Sequence, residues 1–249
     1  ALSNKPHDNA CMKKVRPLIA ANFKMNARPF SLEWSTGSRP STPYHTRDEV
    51  DVVVFPSFLD IEDCIRFGLV VGAQCGRAQE QGAYTGDISM AMLARKEVLY
   101  VLCGHSERRV QHGETDAMVS EQVTSALSHG LVPIVCIGET LEERNAGKTE
   151  AVLVRQLSHI DPASEIVIAY EPVWAIGSQK TPSNDEITDA ISCIRSQVPS
   201  DDVRIVYGGS VSGANASAIL SIDGIGGALV GGASLKPDEF LQIVEAAIR

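Results

Sequence analysis

A chain of 249 residues, 44% hydrophobic and 21% charged, can build one substantial core or two small ones and has an ordinary globular balance. Twenty glycines and twelve prolines supply many turns without the excess of a collagen or low-complexity chain, and no apolar run approaches the roughly 18 residues of a membrane span. The net charge of −9 and pI near 5.2 argue against a generic nucleic-acid binder or a basic membrane-surface protein, so an anionic ligand must be held by a local site.

In chain order, residues 1–11 (ALSNKPHDNAC) are polar and unpatterned, with no signal-peptide hydrophobic core. Met12, followed by Lys13-Lys14-Val15-Arg16, reads like a natural start. The first eleven residues fit an expression remnant, a processed targeting sequence or a native extension, and the expected domain is 12–249. Strands are expected at Pro17–Asn22, Val50–Phe55, Leu69–Ala73, Leu99–Cys103, Val132–Ile137, Ile166–Tyr170, Arg204–Tyr207 and Gly227–Val230. Their nearly continuous apolar character suits parallel strands covered by helices.

Helical stripes lie between them. Thr115–His129 places Val119, Val123, Ala126 and Leu127 on one face, and Asn184–Val198 does so with Ile187, Ala190, Ile191 and Ile194. Asp116 opens the earlier helix and Gly130 ends it. Pro237–Arg249 starts on proline and carries Phe240, Leu241, Val244 and Ala247. The first unit is broken by Pro29, Pro40 and Pro43, leaving a short helix around Phe30–Ser35, and Leu59–Phe67 makes the second unit brief. Eight strands alternating with helices suit an α/β fold closed into one (β/α)8 barrel, with a doubly wound open sheet as the alternative.

The six cysteines (Cys11, Cys64, Cys75, Cys103, Cys136 and Cys193) are dispersed without a CxxC pair, which suggests reduced thiols in an intracellular compartment. No zinc spacing or HExxH occurs, so no metal is expected.

Chemistry-bearing residues gather where strands end. Strand one exits into Asn22-Phe23-Lys24-Met25-Asn26, strand four into Gly104-His105-Ser106-Glu107-Arg108-Arg109, and strand six into Glu171-Pro172-Val173-Trp174. In a barrel these exits share one mouth, where Lys24, His105 and Glu171 would converge. A carboxylate base, an imidazole electrophile and a cation are what proton abstraction beside a carbonyl requires. Each residue alone also fits an ordinary surface charge, cap or salt-bridged turn.

Tyr207-Gly208-Gly209-Ser210 after strand seven and Gly231-Gly232-Ala233-Ser234 after strand eight read as a phosphate site, because glycine lets backbone N–H groups approach an anion. Two other motifs fail. Gly147-Lys148-Thr149 lacks the first P-loop glycine, since position 142 is glutamate, and Asp223-Gly224-Ile225-Gly226 is followed by Leu229 instead of the third glycine.

Asn22–Asn26, Gly104–Arg108, Cys136–Glu139, Ala169–Gly177, Tyr207–Val211 and Val230–Lys236, in this order, resemble the triosephosphate isomerase family over about Pro17 to Arg249. The resemblance implies a TIM barrel of eight parallel strands with outer helices. It also implies an intramolecular aldose–ketose isomerase of glycolysis and gluconeogenesis, without cofactor or metal. Such an enzyme interconverts dihydroxyacetone phosphate and D-glyceraldehyde 3-phosphate through an enediolate.

By that resemblance Glu171 is the base, His105 the neutral electrophile and acid, and Lys24 the electrostatic stabiliser. Asn22, Gly177, Ser210, Gly231 and Gly232 bind substrate, with Glu107, Ser106 and Tyr207 in support. The segment Pro172, Val173, Trp174, Ala175, Ile176, Gly177, Ser178, Gln179 and Lys180 matches the mobile lid. Gln74, Cys75, Tyr84, Thr85 and Gly86 match the loop by which family members pair as homodimers. A cytoplasmic or organellar location and no nucleic-acid or membrane partner follow. The chain departs from the family pattern at Phe23, Cys75, Asp87 and Gln179, where Trp, Asn, Glu and Gly are usual. A different enzyme on a phosphate-binding barrel, and a retired barrel that only binds, are the competing readings; the second predicts loss of Lys24, His105 or Glu171, and all three are present.

Overall fold

The structure is a computed structural model that describes residues 15–30, 42–161, 165–176, 181–198 and 200–248. Eight parallel strands form one sheet: β1 (Leu18–Asn22), β2 (Asp51–Phe55), β3 (Gly72–Ala73), β4 (Tyr100–Cys103), β5 (Val132–Ile137), β6 (Val167–Tyr170), β7 (Arg204–Tyr207) and β8 (Gly227–Val230). The strands run in the order β2-β1-β8-β7-β6-β5-β4-β3, and Val54 pairs with Val71 across the remaining seam. The expected barrel is therefore observed, and the open-sheet alternative fails at that bridge.

The described helices are α1 (Ile61–Arg66), α2 (Met90–Ala94), α3 (Ser106–His112), α4 (Asp116–Ser128), α5 (Leu141–Asn145), α6 (Thr149–Leu157), α7 (Asn184–Ser196), α8 (Ala216–Leu220) and α9 (Pro237–Ala247). Single 3-10 turns occupy Phe58–Asp60, Val173–Ala175 and Gly232–Leu235. Local chemistry sets their ends. The Thr115 hydroxyl accepts from Met118 N–H at the start of α4, and Gly130 follows its last turn with φ 74°. Ser183 and Glu186 form a reciprocal capping box on α7.

Two expectations need correction. β3 covers Gly72–Ala73 and not Leu69–Ala73, because its ladder with β4 consists of Gly72–Tyr100 and Ala73–Val101 alone and Val71 makes an isolated bridge to Val54. The buried stripe of α9 is Phe240, Ile243, Val244 and Ala247, with Leu241 at its half-buried margin. Beyond Phe30, the expected Phe30–Ser35 helix lies outside the described residues, as does 1–11.

Strand phase places the site. Alternate residues point into the barrel, where Leu18, Ala20, Val53, Phe55, Leu102, Ile134, Cys136, Val167, Ala169, Val206 and Leu229 form a sealed apolar cluster. Continuing that period of two past the apolar layer reaches Asn22, Gly138, Glu171, Gly208 and Gly231. The inward series thus changes at one level from aliphatic side chains to polar groups and glycines. That change opens a mouth above a filled core. The opposite phase packs outward against the helices, burying residues such as Ile19, Val52, Val101, Val135, Ile168 and Ile205.

Candidate active site

The mouth encloses a cavity of about 240 Å³ whose walls include Asn22, Lys24, His105, Glu171, Gly208–Val211 and Gly231–Ala233. That is room for a small molecule. Three glycines make the space. A Cβ on Gly208 would lie 2.8 Å from Glu171 Cγ, one on Gly138 would strike the Glu171 carbonyl, and one on Gly231 would press on Lys24 Cε at 3.2 Å.

Glu171 is 2% exposed. Its Oε2 accepts from Ser106 N–H at 2.9 Å, at the first turn of α3, where the helix end favours a negative charge. Its Oε1 lies 3.1 Å from His105 Nε2 yet outside hydrogen-bonding geometry, so this oxygen is buried without a hydrogen bond among the described residues. A buried carboxylate oxygen left unsatisfied is costly, and one facing a cavity can take its missing partner from a ligand.

His105 caps α3 with its ring: Nδ1 accepts from Glu107 N–H at 3.2 Å. That bond requires an unprotonated Nδ1 and places the proton of a neutral ring on Nε2, which faces the mouth 3.4 Å from Asn22 Nδ2. The backbone turn at Gly104, with φ 70°, swings His105 out of strand phase to reach this position.

Lys24 has a left-handed backbone, φ 51°, held by Asn22 Oδ1 accepting from its N–H at 3.0 Å. Gln74 Nε2 also donates to the Lys24 carbonyl at 2.7 Å, so this member of the expected subunit loop turns inward to fix the lysine's own turn. The Lys24 ammonium meets Glu107 Oε1 at 2.5 Å. Both side chains are partly exposed, so the pair orients the lysine more than it stabilises the fold.

The proposed lid begins in a network that strand-end motifs did not reveal. Glu139, after β5, is fully buried and accepts from Trp174 Nε1 at 2.9 Å, Arg144 at 2.9 Å and the Tyr170 hydroxyl at 3.2 Å. Arg144 lies over the Trp174 ring and also pairs with Glu186 of α7. One guanidinium therefore links the turn after β6 to α7. The signals in the sequence were that Glu139 follows a strand exit and closes the Cys136–Glu139 segment of the family resemblance, neither of which names its partners. Ser210 Oγ donates to the Ala175 carbonyl at 2.8 Å, whereas the buried Tyr207 hydroxyl has no partner among the described residues. Gly177, Ser178, Gln179 and Lys180 lie outside the described residues.

Gly232 and Ala233 open the 3-10 turn after β8, where the first N–H groups of a helix have no partner inside it. Lys24 stands above the same turn. No group of three or more His, Cys, Asp or Glu side chains among the described residues could hold a metal ion.

These features define a class: a parallel (β/α)8 barrel enzyme whose mouth combines acid–base groups with an anion-ready turn. The family model for triosephosphate isomerase matches residues 17–247. The chain is 43% identical over 247 residues to the triosephosphate isomerase of Paracidovorax citrulli, covering 93% of this chain and 98% of that protein. It is 42% identical over 246 residues to that of Thermoanaerobacter sp., covering 92% and 98%, and 40% identical over 246 residues to that of Rhizobium meliloti, covering 93% and 96%. The chain belongs to the triosephosphate isomerase family, whose members interconvert dihydroxyacetone phosphate and glyceraldehyde 3-phosphate, a step of glycolysis.

Proposed function

We propose that Glu171, His105 and Lys24 carry that isomerisation in this chain, and the observation that supports it most is their convergence on one small cavity beside the Gly231–Gly232 turn. The Glu171 carboxylate takes a proton from the carbon next to the carbonyl of dihydroxyacetone phosphate. The electron pair moves to form the enediolate, whose oxygens face His105 Nε2–H and the Lys24 ammonium. His105 passes a proton between the two oxygens, and Glu171 returns its proton to the neighbouring carbon, giving the aldehyde. Asn22 holds Lys24 in its turn, Ser106 orients the base, and Glu107 steers the ammonium. The phosphate rests on N–H groups of Gly177, Ser210, Gly231 and Gly232.

Residues Pro172–Lys180 close over the bound intermediate and exclude water, which prevents loss of phosphate from the enediolate. The Tyr207 hydroxyl, without a hydrogen-bond partner among the described residues, is suited to receive lid backbone on closure. Trp174 anchors the lid's entry through Glu139.

Residues 12–249 act as one catalytic domain, with 1–11 an extension. Two copies pair through the Gln74–Gly86 loop, stiffened by Arg77 stacking 3.6 Å over the Tyr84 ring and pairing with Asp87 at 2.6 Å. Tyr84 is then presented outward, and Thr85 approaches the mouth of the partner subunit. Sedimentation over a dilution series tests the pairing: a dimer that dissociates on dilution supports it, and a monomer at every concentration refutes it. The five described cysteines are free thiols, three of them buried, which suits a reducing compartment such as the cytoplasm.

A coupled isomerase assay on wild type and Glu171→Ala tests the base assignment. Activity should fall by about 10³-fold or more with the fold retained; equal activities would refute it.

A further inference from the structure

Tyr44, in the segment between β1 and β2, is fully buried in a cluster of aromatic rings. Its ring stacks on Phe240 of α9 at 4.9 Å and meets Phe23 edge-on at 5.5 Å and Phe30 at 5.0 Å. Phe23 is the residue between Asn22 and Lys24, so the ring touches both the first strand exit and the helix after the phosphate turn. A phenylalanine would serve that packing equally well. The tyrosine hydroxyl does something a phenylalanine could not, donating to the Ser234 carbonyl at 2.8 Å, across 190 positions of sequence.

That carbonyl belongs to the 3-10 turn Gly232–Leu235. Its partner within a continued 3-10 ladder would be the N–H of residue 237, which is Pro237 and has none. Ser234 is itself fully buried, and its own hydroxyl lies within hydrogen-bonding distance of the carbonyls of Asn22, at 3.2 Å, and Gly231, at 2.7 Å. A chain of contacts thus runs from Tyr44 through Ser234 to both sides of the mouth. Burial pushes the Tyr44 hydroxyl well above the ordinary tyrosine range, which keeps it a donor.

We propose that Tyr44 is a positioning residue for substrate binding: its hydroxyl holds Ser234, and through it the Gly231–Gly232 turn, in register with Asn22 and Lys24. The proposal rests on the reading of that turn as the phosphate site. Losing the bond leaves a buried carbonyl unpartnered and lets the turn shift, which weakens the grip on phosphate and spares the proton-transfer groups.

Tyr44→Phe keeps the ring and removes only the hydroxyl. KM for triose phosphate should rise about three- to tenfold, the inhibition constant of inorganic phosphate should rise by a similar factor, and kcat should stay within about twofold. Ser234→Ala keeps the carbonyl that Tyr44 grips but removes the hydroxyl that ties Ser234 to Asn22 and Gly231, so it cuts the next bond of the same chain and should reproduce that split. Gly232→Ala serves as the reference, because Gly232 lines the cavity and a Cβ there meets no protein atom within 4 Å, so it crowds the space read as the phosphate site without disturbing the core. A lowered melting temperature with unchanged KM and phosphate inhibition in both Tyr44→Phe and Ser234→Ala overturns the proposal and makes the contact one of packing alone. If Gly232→Ala weakens phosphate inhibition while the other two do not, only the role of Tyr44 falls. If Gly232→Ala also leaves it unchanged, the phosphate-site reading falls and takes the proposal with it.

Discussion

The two ends of the barrel are built from the same inward phase and end in opposite ways. At the amino ends of the strands, the inward series finishes with Asp51, Tyr100 and Arg204, which satisfy one another. Arg204 donates to Asp51 at 2.8 Å and reaches the Tyr100 hydroxyl at 3.3 Å, and Arg16 pairs with the other Asp51 oxygen at 2.6 Å. At the carboxyl ends it finishes with Asn22, Glu171 and glycines, where Glu171 Oε1 has no hydrogen bond among the described residues. The lower plug commits its polar groups to the fold. The upper mouth leaves a polar atom unsatisfied and clears the space beside it, which is the arrangement expected where a ligand supplies the missing partner.

The difference predicts that equal chemical insults at the two ends will have unequal consequences. Gly208→Ala puts a methyl group 2.8 Å from Glu171 Cγ, so it should displace the proposed base and lower kcat by about a hundredfold, read in the coupled assay. Unchanged kcat in a folded variant would show that the base tolerates displacement. Asp51→Ala removes the anion from the plug and leaves Arg204, whose side chain is 16% exposed, without its carboxylate. Stability should fall by about 2 kcal/mol in urea unfolding, with kcat and KM unchanged below the transition. A catalytic defect there would erase the distinction between the ends.

A smaller effect probes the region beside the Val173–Ala175 turn. Arg144, followed by the Ser183 cap, holds the Glu186 carboxylate below the usual range, so Glu186 favours the fold while ionised. That contribution is present at neutral pH and fades as pH falls through the lowered value. The melting temperature of wild type should exceed that of Glu186→Gln slightly at pH 7, and the two should converge in acid. A gap that widens in acid would reverse the assignment.

Nearly continuous apolar runs alternating with helical stripes made much of this legible in the sequence. Strand ends located Asn22, Lys24, His105 and Glu171 to within their turns, because a parallel barrel collects every carboxyl end on one side. The β3 boundary was not legible, since its length depends on which residues pair with β4 and with β2 across the seam. Glu139 and Tyr44 were missed for a related reason. Their meaning lies in partners 31 to 35 and 190 residues away, and neither residue differs locally from an ordinary acidic turn or a core aromatic. The same holds for Asp51 and Arg204, separated by 153 positions. Contacts of that span are fixed by closure of the barrel and leave no local pattern.

The most direct test of proton abstraction at the mouth is isotope exchange, because it follows the proton itself and not the finished product. Dihydroxyacetone phosphate incubated with enzyme in D2O should gain deuterium at the carbon beside its carbonyl with wild type and with Asp51→Ala. Glu171→Gln, folded and still inhibited by inorganic phosphate, should lose that exchange by about 10³-fold. Exchange at the wild-type rate in Glu171→Gln would contradict the assignment of Glu171 as the base.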